Sequence, residues 1–122
     1  MSTLPSFLST VCGLIIDIDG VLWRGMEVLP GVPEFFRFLR ARGTRFIIAS
    51  NNSSRPAAET IARLARIGGA VSEAELLTSA EATARYLPRI APRGTSVYLV
   101  GGLGIARALN RAGYRLVSKN AA

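Results

Sequence analysis

Two aspartates sit one residue apart in IIDIDGVLWRG (residues 15–25), at the end of an apolar run. Asp17 and Asp19 are the only aspartates in the 122 residues. If the chain is extended here, both carboxylates point to the same face. They then repel one another unless a proton or a cation sits between them. Mg²⁺ suits such a pair, since it takes one or two carboxylates together with water and substrate phosphate. The matching chemistry is phosphoryl transfer through an aspartyl-phosphate, with one carboxylate attacking phosphorus and the other moving the proton. The plain alternative is one aspartate capping a turn and the other solvated.

A second stretch, FIIASNNSSR (residues 46–55), ends an apolar run in small donors. Ser50 could bind a phosphoryl oxygen with the Asn51 amide beside it, and the next helix would add its free first-turn amides. Serine and asparagine are also ordinary loop and capping residues. It is the pairing with DIDG that makes this loop a candidate site.

The elements that must position these residues alternate along the chain. Val11 to Ile18 reads as a parallel strand buried on both faces. Glu34 to Arg42 reads as a helix with Phe35, Phe38 and Leu39 inward, stopped by Gly43. Thr44 to Ser50 is a second strand, and Pro56 to about Arg66 a helix with Ile61, Leu64 and Ala65 inward. Ser72 and Glu75 suggest a capping box on a short turn. Ser79 is the expected cap of a helix ending near Pro88. Thr95 to Val100 reads as a third strand, followed by a helix to about Arg111 and a short strand over Tyr114 to Val117. This alternation predicts an α/β fold, a Rossmann-like parallel sheet with flanking helices and about three to four strands. In such sheets ligands bind beyond the carboxyl ends of the strands, where both motifs fall.

Composition sets the outer bounds. The chain is 49% hydrophobic and 19% charged, as in a globular domain. One cysteine, Cys12, excludes an internal disulfide and reads as a small buried residue. No apolar stretch reaches the length of a membrane span, and MSTLPSFLSTVCG lacks the basic start of a signal peptide. The expected compartment is cytoplasmic. The net charge of +7 comes from fourteen arginines and one lysine, scattered without runs or aromatic interleaving. Solvated helix faces explain them better than nucleic-acid binding, which would rest on charge alone. Trp23 either packs over the site or serves the core. In VGGLGI (residues 100–105) the third glycine of a dinucleotide-binding turn is replaced by Arg107, so a tight strand-to-helix turn is the better account.

DIDGVLWRG, followed about thirty residues later by FIIASNNSSR, resembles the haloacid dehalogenase superfamily of phosphatases. The likeness is greater to the NagD and p-nitrophenylphosphatase branch, whose pattern is DxDGVL-[YW]-x-G, then PG-x-x-x-[FL], then TNN-S-[SR]. Here Leu29-Pro30-Gly31 precedes Phe35, and Ser50 stands where threonine is common. LLTSAEATARYL and VYLVGGLGIARALNRAGY are also similar, so the resemblance runs from about Gly13 to Tyr114. It implies Asp17 as nucleophile, Asp19 as general acid/base, and Mg²⁺ held by the Asp17 carboxylate and the Asp19 backbone carbonyl. It implies Ser50, with Asn51, as the phosphate site, and Asn51, Asn52 and Arg55 at the substrate entrance.

The resemblance also implies parts that this stretch does not show. The family carries a third-motif lysine and a fourth motif with further aspartates, both after a cap domain. Here Lys119 is the only lysine, without a strand-to-helix context, and no acidic residue follows Glu81. Residues 1–122 therefore read as the N-terminal part of such a core, with motifs at 15–25 and 46–55 and the cap domain absent. In the family the first strand is central. Alone, it would leave an apolar edge that favours self-association or docking of a complementary C-terminal half. The expected function is Mg²⁺-dependent hydrolysis of a small phosphorylated substrate. The alternative is a non-catalytic phosphate-binding or interaction module.

Overall fold

The computed structural model describes residues 9–117; Lys119 lies outside the described residues. Strand β1 (Gly13–Asp17) leads through a small hairpin, β2 (Trp23–Arg24) and β3 (Glu27–Val28), to helix α1 (Val32–Ala41). Strand β4 (Arg45–Ser50), helix α2 (Ala57–Arg66), strand β5 (Leu76–Thr78) and helix α3 (Ser79–Tyr86) follow. The chain continues through β6 (Ser96–Tyr98), α4 (Leu103–Arg111) and β7 (Arg115–Val117). The α/β fold is as expected, but its strands divide. β1, β4 and β5 form a parallel sheet in that order, while β6 and β7 pair separately. No described helix is long and apolar enough to cross a membrane.

The strand order explains which face is covered. Right-handed crossovers that keep advancing in one direction place their helices on one side of the sheet. The chain makes two parallel crossovers that advance in one direction, β1 to β4 through α1 and β4 to β5 through α2. Ile16, Ile48 and Leu76 lie side by side in register and are buried against Phe36 and Leu39 of α1 and Leu64 of α2. The alternate face is open: Ile15 is 82% exposed and Ile47 36%. β1 is thus an edge strand buried on one face only, not the doubly buried strand expected from its isoleucines.

Several side chains depart from their expected places. α1 begins at Val32, so its buried stripe is Val32, Phe36 and Leu39 at i, i+4, i+7. Phe35 and Phe38 stand exposed, the latter with the Arg42 guanidinium 5.4 Å above its ring. On α2, Leu64 is buried and Ile61 packs partly against the core, but Ala65 is exposed. Cys12 is exposed because it precedes the sheet instead of joining it. The Ser72–Glu75 capping box is present on its short turn and leads straight into β5, a strand that the sequence does not signal. Thr78, not Ser79, caps α3, accepting the Glu81 amide at 3.2 Å. Arg40 reaches from α1 to both Glu75 carboxylate oxygens (2.6 and 2.9 Å) and to the Ala70 carbonyl (3.0 Å). That guanidinium, through its hydrogen bonds, holds the Glu75 carboxyl down to about 2 from its ordinary 4.5.

Candidate active site

Asp17 is the last residue of β1 and pairs in register with Ala49; one residue on, Ser50 pairs with Thr78 of β5. Both motifs therefore meet at the carboxyl edge of the sheet, the expected ligand end. Beyond Asp17 the chain turns sharply. The carbonyl of buried Ile18 accepts the amides of Val21 (3.1 Å), Leu22 (2.8 Å) and Trp23 (3.4 Å), while the Gly20 amide donates to the Trp23 carbonyl at 2.7 Å. Gly20 makes this possible at φ +83°, a conformation that side chains with a Cβ rarely adopt.

Because the strand stops at Asp17, the extended geometry that would put both carboxylates on one face does not persist to Asp19. Asp17 lines a groove of about 370 Å³ with Ser50, Asn51, Thr78 and Ser79. Asp19 lines a smaller cleft, about 150 Å³, with Ser50, Asn52, Arg55 and Trp23. Ser50, the last residue of β4, lines both. A larger cavity, about 780 Å³, opens near Cys12 and Arg45 at the amino ends of β1 and β4. It lies at the wrong end of a parallel sheet for a ligand site and holds neither aspartate.

The loop after β4 is tied down residue by residue. The Ser50 hydroxyl oxygen accepts the Asn52 amide (3.2 Å), and Asn52 Oδ1 accepts the amide (2.9 Å) and hydroxyl (2.6 Å) of Ser54. Ser79 Oγ donates to the Asn51 carbonyl at 2.8 Å, so the residue expected to cap α3 instead fixes this loop. α2 follows with Pro56 at its N-cap and no side-chain cap, and the Glu59 amide donates to the Pro56 carbonyl at 3.1 Å.

Trp23 fills both of the roles left open by the sequence. It is only 5% exposed, within the core cluster, and it also walls the Asp19 cleft. Arg63 of α2, not singled out from sequence, stacks its guanidinium 4.0 Å from the Trp23 ring centroid and donates to the Gly25 carbonyl at 2.5 Å. The hairpin that follows the first motif is thereby gripped by the helix that follows the second. Only the helical position of Arg63, facing the same side as Thr60 and Glu59 toward the cleft, could have signalled it.

The haloacid dehalogenase-like hydrolase family matches residues 14–115. Phosphoglycolate phosphatase 1A of Arabidopsis thaliana is 36% identical over 109 residues, 88% of this chain and 30% of that protein. The p-nitrophenyl phosphatase of Archaeoglobus fulgidus superposes with a TM-score of 0.78 at 35% identity, over 87% of this chain and 40% of that one. A glycerol phosphate phosphatase of Mycobacterium tuberculosis, solved with magnesium, gives 0.77 at 28% identity, over 89% and 32%. This chain thus spans less than half the length of each of these relatives. A match covering both motifs and nearly every described element leaves one conclusion: the chain belongs to the haloacid dehalogenase-like hydrolase family, in its NagD and p-nitrophenylphosphatase-like branch.

Proposed function

We propose that this chain is the N-terminal part of the catalytic core of a Mg²⁺-dependent phosphatase that hydrolyses small phosphomonoesters through an aspartyl-phosphate. The observation that carries this reading is that Ser50, at the carboxyl end of β4, lines both the groove of Asp17, at the carboxyl end of β1, and the cleft of Asp19. An Asp17 carboxylate oxygen attacks phosphorus, and the bond to the ester oxygen breaks. Asp19, as the acid, gives its proton to that departing oxygen. The Asp19 carboxylate then takes a proton from water, whose oxygen attacks the phosphorus of the aspartyl-phosphate. Inorganic phosphate leaves and Asp17 is free again. Ser50 and the Asn51 amide hold the phosphoryl oxygens, while Asn52 and Arg55 meet the remainder of the substrate.

No group of three or more metal-ligating side chains gathers among the described residues. One carboxylate and one backbone carbonyl still suit Mg²⁺, an oxygen-binding cation that retains water and shares substrate phosphate. Asp17 and the Asp19 carbonyl would hold it, and when bound it neutralises charge between anionic nucleophile and anionic phosphate. The lysine and second acidic motif implied by the resemblance are not among the described residues. On this reading a C-terminal half supplies them, packing on the open face and edge left at Ile15 and Ile47.

The test is to incubate the chain with Mg²⁺ and acetyl phosphate and measure its intact mass. A hydroxylamine-labile phosphoryl adduct that maps to Asp17, and is lost in Asp17→Asn, supports the proposal. Phosphate binding with no adduct, even when the C-terminal half is supplied, would move the chain to the non-catalytic module. Adduct formation at full yield in Asp17→Asn would remove Asp17 as nucleophile.

A further inference from the structure

The turn Val100-Gly101-Gly102-Leu103-Gly104-Ile105 opens α4, and its first-turn amides do not face an open ligand site. The Gly104 amide donates to the Ser54 carbonyl and the Ile105 amide to the Ser53 carbonyl, each at 2.9 Å. A helix start normally leaves these donors without an intrahelical acceptor. Here the loop after β4 takes them. The approach is so close that only glycine fits: a Cβ on Gly104 would lie 2.5 Å from the Ser53 carbonyl oxygen and nearer still to that of Arg55. A Cβ on Gly102 would meet Ser54 Cα at 2.9 Å.

Peptide planarity carries this contact into the cleft. In a trans peptide the carbonyl and the following N–H point in opposite directions, and no described peptide is cis. Holding the Ser53 and Ser54 carbonyls on α4 turns the Ser54 and Arg55 amides to the other side. The Ser54 amide there clasps Asn52 Oδ1 at 2.9 Å, and Asn52 and Arg55 line the Asp19 cleft. The positive end of the α4 dipole stands behind the same carbonyls.

We propose that the first turn of α4 is the positioning device of the phosphate-binding loop, with Gly102 and Gly104 as positioning residues that act through the Ser53 and Ser54 carbonyls. This rests on reading Ser50 to Arg55 as the phosphate loop. The turn resembles a dinucleotide-binding turn, but its anion-binding capacity is consumed by the protein's own backbone.

The experiment is amide NMR on the chain, first hydrogen exchange and then titration with inorganic phosphate in the presence of Mg²⁺. The Gly104 and Ile105 amides should exchange at least about tenfold more slowly than those of Ala57 and Ala58, which open α2 without a cap. Gly104→Ala should push the loop away from α4 and weaken phosphate binding about tenfold, shifting the amides of residues 50–55. If Gly104→Ala fails to fold by circular dichroism, Gly102→Ala, with its milder contact, carries the titration. Equal phosphate affinity in wild type and a folded variant would overturn the positioning role alone. Unprotected Gly104 and Ile105 amides would do the same. A wild-type chain whose loop amides ignore phosphate would instead bring down the phosphate-loop reading, and this inference with it.

Discussion

Phe36, Phe46 and Trp23 fill the cluster beneath β1, β4 and β5, whereas Ala80, Ala84 and Ala108 make up most of the buried residues between α3, α4 and the second sheet. The first region is held by bulk. Phe36 and Phe46 meet edge-to-face at 5.6 Å, and Phe36 also presses on Gly69, where a Cβ would lie 2.6 Å from the ring. The second is held by close backbone approach, since small side chains let α3 lie against α4, and glycines let α4 lie against the Ser53–Arg55 loop. A site needs both. The bulky cluster fixes where Asp17 and Ser50 end their strands, and the small-residue cluster presses the loop beyond Ser50 into shape.

The contrast can be broken by asking which change each region resents. Truncation should injure the first most: Phe36→Ala is expected to cost about 3–5 kcal/mol in urea unfolding. Enlargement should injure the second: Ala108→Leu is expected to cost about 1–3 kcal/mol by overpacking. If Ala108→Leu were neutral, the account of close approach between α3 and α4 would fail. The smallest effect belongs to the Arg40–Glu75 pair, which is partly solvated and therefore screened. Glu75 has a folded pKa below its unfolded one. Its contribution is thus complete above pH 4.5 and fades as pH falls toward about 2. The difference between wild type and Glu75→Gln, followed by thermal unfolding across that window, should shrink as the pH drops.

The strand-to-loop transitions at Asp17 and Ser50 were legible because an apolar run followed by small polar residues admits few other structures. The α1 register was not. VPEFFRFLR offers three phenylalanines around the helix, and only the start at Val32 decides that Phe36 is the inward one. β5 was hidden because three residues, Leu76–Thr78, give too short an alternation to register. The separate pairing of β6 with β7 is a tertiary choice that local pattern does not encode. At the site, the sequence brought Asp17, Asp19, Ser50 and the loop together, but not the division into two clefts, which follows from the turn after Ile18. Ser79, Arg63 and Gly104 support the site from distant segments, and only folding reveals such neighbours.

Cys12, exposed just before β1, is the only thiol in the chain. One accessible sulfur permits one disulfide and no more, so air oxidation joins chains in pairs and then stops. A dimer that dissolves in reductant is therefore a matter of sulfur chemistry and says nothing about the open edge of the sheet. One that survives reductant is held by the fold itself.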